Sequence, residues 1–501
     1  MGGFTPAAPL WYGAAVRRRR RKGTLAWTSS TYFAEGLPWS LLHQVAAEYF
    51  TAIGLRPAQV GYTSLLHGPT FLKLLWSPIV ELFGTLRTWM IGTQALLGVA
   101  VGVLAFLAHW AVGEVSAAGP DAVSGAGLSP TAWIWIVLVV IGVLSATHDI
   151  ACDGYYMEAL DAEEQARFSG VRVAAFRAAM LVGSSGLVFL GGLFNWLVGF
   201  GVGAVLLLGL ALAHRRFLPR AAPSPEVVPQ AAADDLAAAS APETSAPETS
   251  ASETSASEAS ASEAATSTQP KRRSLRHVAA AYSSFLRQDR VLLVVAFLLT
   301  YKMADVLMFS MSKVLLDREL GIGTDLRGGF INTASTVASI AGAMLGGAWI
   351  SRRGLRATLL PITLLMAVTE PLYALLAQFA PVLDIAIDGV PVTLRTLDLS
   401  AHAFTLGLAT LTLVIEQLCG GMATAAQMVF IMRRCHPNHK AAHFAFATAI
   451  YSAAQMGVGA YSGRLYEQVG SVTYFWIVSA LTLPAIALSL LVPKDGPALR
   501  T

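Results

Sequence analysis

Asp149 and Asp153 stand four residues apart in SATHDIACDG (145–154), directly after the apolar run WIWIVLVVIGVL. On a helix this spacing puts both carboxyls on one face, with His148 beside it. Ionisable side chains in hydrocarbon are costly, so they face a cavity or a partner and serve a purpose. Carboxyls and an imidazole in that setting can take up and release protons, and His148, Asp149 and Asp153 are the proton-coupling candidates, with Glu35 from an earlier apolar segment. At a rise of 1.5 Å per residue, Asp149 lies about 25 Å along its segment. Asp153 lies nearer the end, where a solvated helix terminus before the acidic stretch DAEEQAR is the alternative.

Few other charges fall inside apolar segments. Lys73, Arg177 and Lys302 are the cations available to bind an anion, and Asp305 and Glu416 complete the polar set. Lys302 and Asp305, three apart, can also simply pair with each other. Arg177 needs a carboxylate at its depth, and Asp149 is the expected partner, so that protonation of Asp149 would release Arg177 to a substrate. Tyr32, Trp39 and Tyr301 offer aromatic faces beside these charges to a substrate. Glu370 precedes Pro371 at a possible kink and receives no role. Helix breakers recur in EGLPWS, with Gly36 and Pro38, in HGPTF, and in CGGM, with Gly420 and Gly421.

Elements must position these groups. The chain has 501 residues, 54% hydrophobic and 13% charged, with a mean hydropathy of +0.56. Such a surface belongs in lipid. A spanning helix takes about 20 mostly apolar residues, and windows fall near 24–50, 57–79, 88–109, 132–157, 168–192 and 194–214, then 290–316, 327–350, 357–379, 401–432, 441–466 and 471–492. The expected fold is an all-α membrane protein of twelve transmembrane helices in two pseudo-symmetric six-helix bundles, 24–214 and 290–493. A basic tail (1–23), a short tail (494–501) and a linker (215–289) complete it. The linker's Ser/Ala/Glu/Thr repeat has little to bury and should be a disordered tether.

Charge bias sets orientation. Arg17 to Lys22, Arg215 with Arg216, KRRSLR, Arg352, Arg353 and Arg356, and Arg433 with Arg434 share one side of a twelve-span chain, while 110–131 has no Lys or Arg. Both termini and the linker are then expected in the cytoplasm. A formal charge of +4 gives no reason to expect nucleic acid, and the three cysteines have neither disulfide nor metal spacing. No cofactor or metal is expected, and no nucleophile completes an enzyme site with His148 and Asp149. An offset of 267 residues carries Gly54 and Gly61 onto Gly321 and Gly328, Asp149 onto Glu416 and Glu35 onto Lys302. Parallel repeats of this kind enclose a shared site between them.

FAEGLP, KLLWSP, SATHDIACDG, FRAAMLVG, YKMADVLMFSMS and EQLCGGMATAA, in this order, resemble the AmpG-type muropeptide permeases of the major facilitator superfamily; a sister group is the acetyl-coenzyme A transporters. In that superfamily the cytoplasmic turn GAWISRRGLR (347–356) has a familiar spacing, in which Gly347 would permit close helix approach and Arg352, Arg353 and Arg356 would stabilise one conformation. The resemblance implies proton-linked import of anhydro-muropeptides across a bacterial inner membrane by a protein expected to act as a monomer. It places function on Asp149, Asp153, Lys73, Arg177, Lys302, Asp305, Gly420 and Gly421. His148 stands where the family has Gln, and Glu35 replaces a small residue. A carrier of another anionic solute, such as an acyl-coenzyme A or a peptide, is the alternative, and an intramembrane enzyme or a sensor is the alternative of another class.

Overall fold

The computed structural model describes residues 10–118, 130–160, 162–219, 282–379, 400–436 and 440–494. Most of the expected linker lies outside them. They form twelve helical segments: α1 (10–52), α2 (57–82), α3 (Leu86–Ala118), α4 (Pro130–Ala159), α5 (162–193), α6 (Trp196–Phe217), α7 (291–319), α8 (324–353), α9 (355–379), α10 (Ser400–Arg433), α11 (Lys440–Val469) and α12 (471–491). Among the described residues, nine are long and apolar enough to span a bilayer. The exceptions, α1, α2 and α11, are more polar, and all three help to line the central cavity. The chain is a multi-pass, all-helical membrane protein. Helix α1 begins at Leu10, so the basic run Arg17 to Lys22 belongs to a helix rather than to a free tail.

Several helices are interrupted where charged residues sit. Helix α2 changes to a tighter winding at Lys73–Leu75, ahead of Pro78. Helix α7 breaks at Tyr301–Lys302, and α9 breaks at Glu370, where Pro371 cannot donate a backbone hydrogen bond. Helix α1 loosens into a π-type turn, Leu41–Val45, just after Pro38.

The two halves share one apolar core at one end. Leu42, Phe50 and Val188 from the first half pack in the same cluster as Leu307, Met311 and Tyr474 from the second. Toward the opposite end each half has its own core: Trp27, Tyr155 and Phe168 in one, Phe297, Leu359 and Phe430 in the other. The halves are thus joined at one end and separately packed at the other.

Polar locks fasten the joined end. The Arg327 guanidinium, fully buried, donates to Glu48 at 3.0 Å and pairs with Asp317. Asn332 Nδ2 donates to Glu48 Oε1 at 3.1 Å and to the Ser184 carbonyl at 2.9 Å. Arg464 donates to the Tyr62 hydroxyl at 2.6 Å, and the Ala58 amide to Glu467 at 3.0 Å.

The internal repeat is visible here as equivalent roles. Gly54 and Gly321 both take left-handed backbone, at φ 82° and 61°. Gly61 and Gly328, seven residues further on, both lie against the other half: a Cβ on Gly61 would meet the Gly463 backbone at 2.9 Å, and one on Gly328 would strike the Phe189 backbone. Close approach at the seam needs glycine at both positions.

Gly347 does not have the packing role expected of it, since a Cβ there would meet nothing within 4 Å. The approach of α8 to α10 is made instead one and five residues earlier by Gly346, whose Cβ would lie 2.8 Å from Met422 Cα, and Gly342, which abuts the Leu418 carbonyl. Arg352, Arg353 and Arg356 stand exposed at the α8–α9 turn.

Candidate functional site

A cavity of about 510 Å³ lies between the halves. Tyr32, Glu35, Trp39, His43, His67, Arg172 and Arg177 line it from the first half, and Asp305, Phe309, Lys313, Gln417, Tyr451 and Gln455 from the second. Glu35, Tyr32 and Trp39 reach it because Gly36 lets α1 lie against α5: a Cβ on Gly36 would be 2.7 Å from the Phe176 carbonyl oxygen.

In the first half, carboxyls and cations pair across helices. Lys73 on α2 forms an ion pair with Asp149 on α4. Arg172 on α5 pairs with Asp153 at 2.7 Å, and the Tyr32 hydroxyl donates to the same oxygen at 2.7 Å. The Arg172 guanidinium also lies 4.3 Å from the Tyr32 ring centre and 4.8 Å from that of Tyr156, which fixes it on two aromatic faces. Asp153 is therefore part of a cavity-side network rather than only a solvated helix end. The Glu35 carboxyl approaches Asp149, and its Oε2 has no hydrogen-bond partner.

The expected Arg177–Asp149 pair does not form, because Lys73, brought alongside by the broken end of α2, takes Asp149. Arg177 forms no ion pair with a described carboxylate; its Nη1 lies 4.0 Å from Met180 Sδ and its side chain lines the cavity. His148 is fully buried with both ring nitrogens unpartnered and does not line the cavity. It points away because it precedes Asp149 by one residue, a rotation of about 100° on the helix.

In the second half, Asp305 lines the cavity and Lys302 stands behind it, donating to Asp305 at 2.7 Å and to the Gly420 carbonyl at 3.3 Å. Gly420 leaves room for this group, since a Cβ would be 3.0 Å from Asp305 Oδ1. Gly421 is the point where α10 meets the Ser339 backbone of α8. Glu416 is buried and accepts from Tyr373 at 3.2 Å and Gln417 at 3.0 Å. Tyr301 is buried against Phe297 in the second half's own core, so it cannot present a face to a substrate. Lys73, Lys302, Glu416 and Tyr301 thus lie off the cavity surface, while Tyr32, Trp39, Arg177 and Asp305 are on it.

Lys313 was not foreseen. Its side chain is 5% exposed, its ammonium lies 3.5 Å from the Phe309 ring centre and donates to the Phe309 carbonyl at 3.3 Å, and it forms no ion pair with a described carboxylate. Arg177 and Lys313 face one cavity from opposite halves with donors to spare. His43 and His67 were also missed; their rings stack at 3.8 Å between centres on the cavity wall.

A family model described as Major Facilitator Superfamily matches residues 24–412. The chain belongs to the Major Facilitator Superfamily. The anhydromuropeptide permease of Escherichia coli (strain K12) is 26% identical over 464 residues, covering 91% of this chain and 77% of that protein. An uncharacterized protein of Haemophilus influenzae is 23% identical, covering 91% of each chain. Among solved structures, the D-xylose-proton symporter aligns with a TM-score of 0.62 at 12% identity over 94% of this chain and 98% of its own, and the nucleoside transporter NupG with 0.58, also at 12%, over 93% and 98%. Those two likenesses concern fold. This major facilitator is a secondary transporter, and its family and fold are those of carriers rather than enzymes.

Proposed function

We propose that the protein imports anhydro-muropeptides with protons, by alternating access, across a bacterial inner membrane. The observation that carries this is a central cavity closed at one end by cross-half locks and presenting two cations, Arg177 and Lys313, that no described carboxylate neutralises. A substrate carboxylate between them would bind both halves at once, and a charge-assisted hydrogen bond in such a site is stronger than in water. Tyr32 and Trp39 supply faces for sugar rings. The relationship to the anhydromuropeptide permease supports this substrate class.

The coupling proton is assigned to Asp149, Asp153 and Glu35. The Glu35 carboxyl stands against Asp149, and Lys73 is close enough to claim Asp149 when the coupling proton leaves. With both termini cytoplasmic, as the basic loops favour, the joined end is periplasmic and the state described is inward-facing. The two bundles, 24–214 and 290–493, would rock about the site, joined by residues 215–289 as a tether, in a monomer.

The test is uptake into proteoliposomes of anhydro-muropeptides, free amino sugars, peptides and coenzyme A thioesters under an imposed pH gradient. Anhydro-muropeptide accumulation that is lost in Asp149→Asn, with normal expression and folding, supports the reading. Selective uptake of a coenzyme A thioester instead would replace it with the alternative carrier.

A further inference from the structure

Behind the cavity wall of the second half, three carboxyls converge from three helices. Asp305 on α7, Glu370 on α9 and Glu416 on α10 bring oxygens within 4.8 Å of one another. Glu370 is 0% exposed, and neither of its oxygens has a hydrogen-bond partner. A fully buried carboxyl aimed at two others, with no donor of its own, requires a ligand or a proton.

A charge inventory makes the need specific. Lys302 is the cation in contact, and it sits on Asp305 at 2.7 Å. Among the described residues, the other ionisable groups facing the trio are tyrosines and a thiol: Tyr301 on α7, Tyr373 on α9, Cys419 on α10, Tyr451 on α11 and Tyr474 on α12. Three ionised carboxyls with one ammonium would leave two negative charges buried, and each unpaired buried ion costs several kcal/mol. The backbone is also interrupted on two sides, at Lys302 and at Glu370. Broken helices around a midplane charge are where carriers place coupling ions.

We infer that Glu370 and Glu416 form a second proton-binding site, which exchanges protons with the central cavity through Asp305 and Lys302 during each transport cycle. This inference rests on the transport reading but not on the identity of the substrate. The carboxylate–ammonium pair at the cavity wall is the relay: when Asp305 accepts a proton from the cavity, Lys302 loses its partner and can approach Glu416, and transfer onward to Glu370 restores the original pair. Each step moves one proton between oxygens and consumes no other reactant.

The test uses the full chain with Glu370→Gln and Glu416→Gln. Infrared difference spectra of purified protein between alkaline and acid pH should show a protonated-carboxyl band that each substitution diminishes. In proteoliposomes, pH-gradient-driven uptake of the wild type's best substrate should fall about tenfold or more, while counterflow at equal pH stays within about twofold, as expected when coupling and not binding is removed. Unchanged driven uptake, or loss of both modes in folded protein, overturns the inference. So does a carboxylate band that responds to NaCl and not to pH, which would make the site one for a metal cation. If the wild type transports none of the compounds offered, the substrate reading has failed and the infrared result alone decides this one.

Discussion

Replacing Arg327 with Met should push the transporter out of the state described here. Arg327 is 0% exposed and holds Glu48 of the other half at 3.0 Å, and Glu48 is itself 1% exposed. Removing one member of a buried ion pair strands the other, at a typical cost of about 3–5 kcal/mol. The stranded charge is in the joined-end state, because only there does Glu48 meet Arg327 across the seam. When the halves part at this end, Glu48 can be hydrated. The ratio of joined to parted molecules should therefore fall by roughly two to three and a half powers of ten, at about 1.4 kcal/mol per tenfold. Spin labels at Arg56→Cys and Gln468→Cys, exposed positions on opposite sides of the seam, would report it as a shift to longer distances in pulsed double-resonance spectra. The double variant Glu48→Gln with Arg327→Met should return much of the population to the shorter distance, since it leaves no bare charge at Glu48, and Asp317, on the same half as Arg327 and part-exposed, loses its partner whether the halves are joined or parted. If Arg327→Met keeps the wild-type distance distribution in folded protein, the lock has no bearing on the conformational balance and the reasoning is refuted.

Three further outcomes follow from the geometry. Lys313→Gln should raise KM for an anionic substrate by about 10- to 100-fold, the usual worth of a hydrogen bond to a charged group; a KM unchanged in concentration-dependent uptake would take Lys313 out of the site. Gly61→Val, whose Cβ would lie 2.9 Å from the Gly463 backbone nitrogen, should overpack the seam by about 1–3 kcal/mol and lengthen the same spin-label distance, with no change counting against close contact there. Gly342→Val should lower the melting temperature of detergent-solubilised protein, because its added carbons meet the Leu418 carbonyl, whereas Gly347→Ala, with open space around it, should leave melting unchanged; equal effects would argue against the packing described for α8 and α10.

Apolar length made the spans legible, and most observed ends fall within a few residues of the windows. The largest departure is at α1, which starts at Leu10 because a helix can continue through basic residues outside the hydrocarbon, where hydropathy carries no information. The repeat was legible too, since Gly54 and Gly321 mark left-handed backbone, and Gly61 and Gly328 mark contacts that leave no room for a side chain. Pairing was not. Lys73 reaches Asp149 through a break in α2 that local spacing did not encode, and so Arg177 lost its expected partner. Arg172 lay near the start of its window and Lys313 near the end of its own, where charges read as solvated termini. His43 and His67 could have been found by counting imidazoles along with carboxyls and ammonium groups. The convergence of Glu370 with Asp305 and Glu416 joins three helices, a relation invisible to any pattern along one of them.

The meeting of Gly61 with Gly463 has a mechanical consequence. Where main chain rests on main chain, no rotamer must change for the surfaces to part, and no interdigitated side chain has to be withdrawn. Opening at that point is a clean lift-off, so the resistance to movement lies elsewhere at the joined end, in the polar locks and in the apolar core that both halves share. Single substitutions among those locks could then shift the gate's threshold without remaking the backbone contact itself.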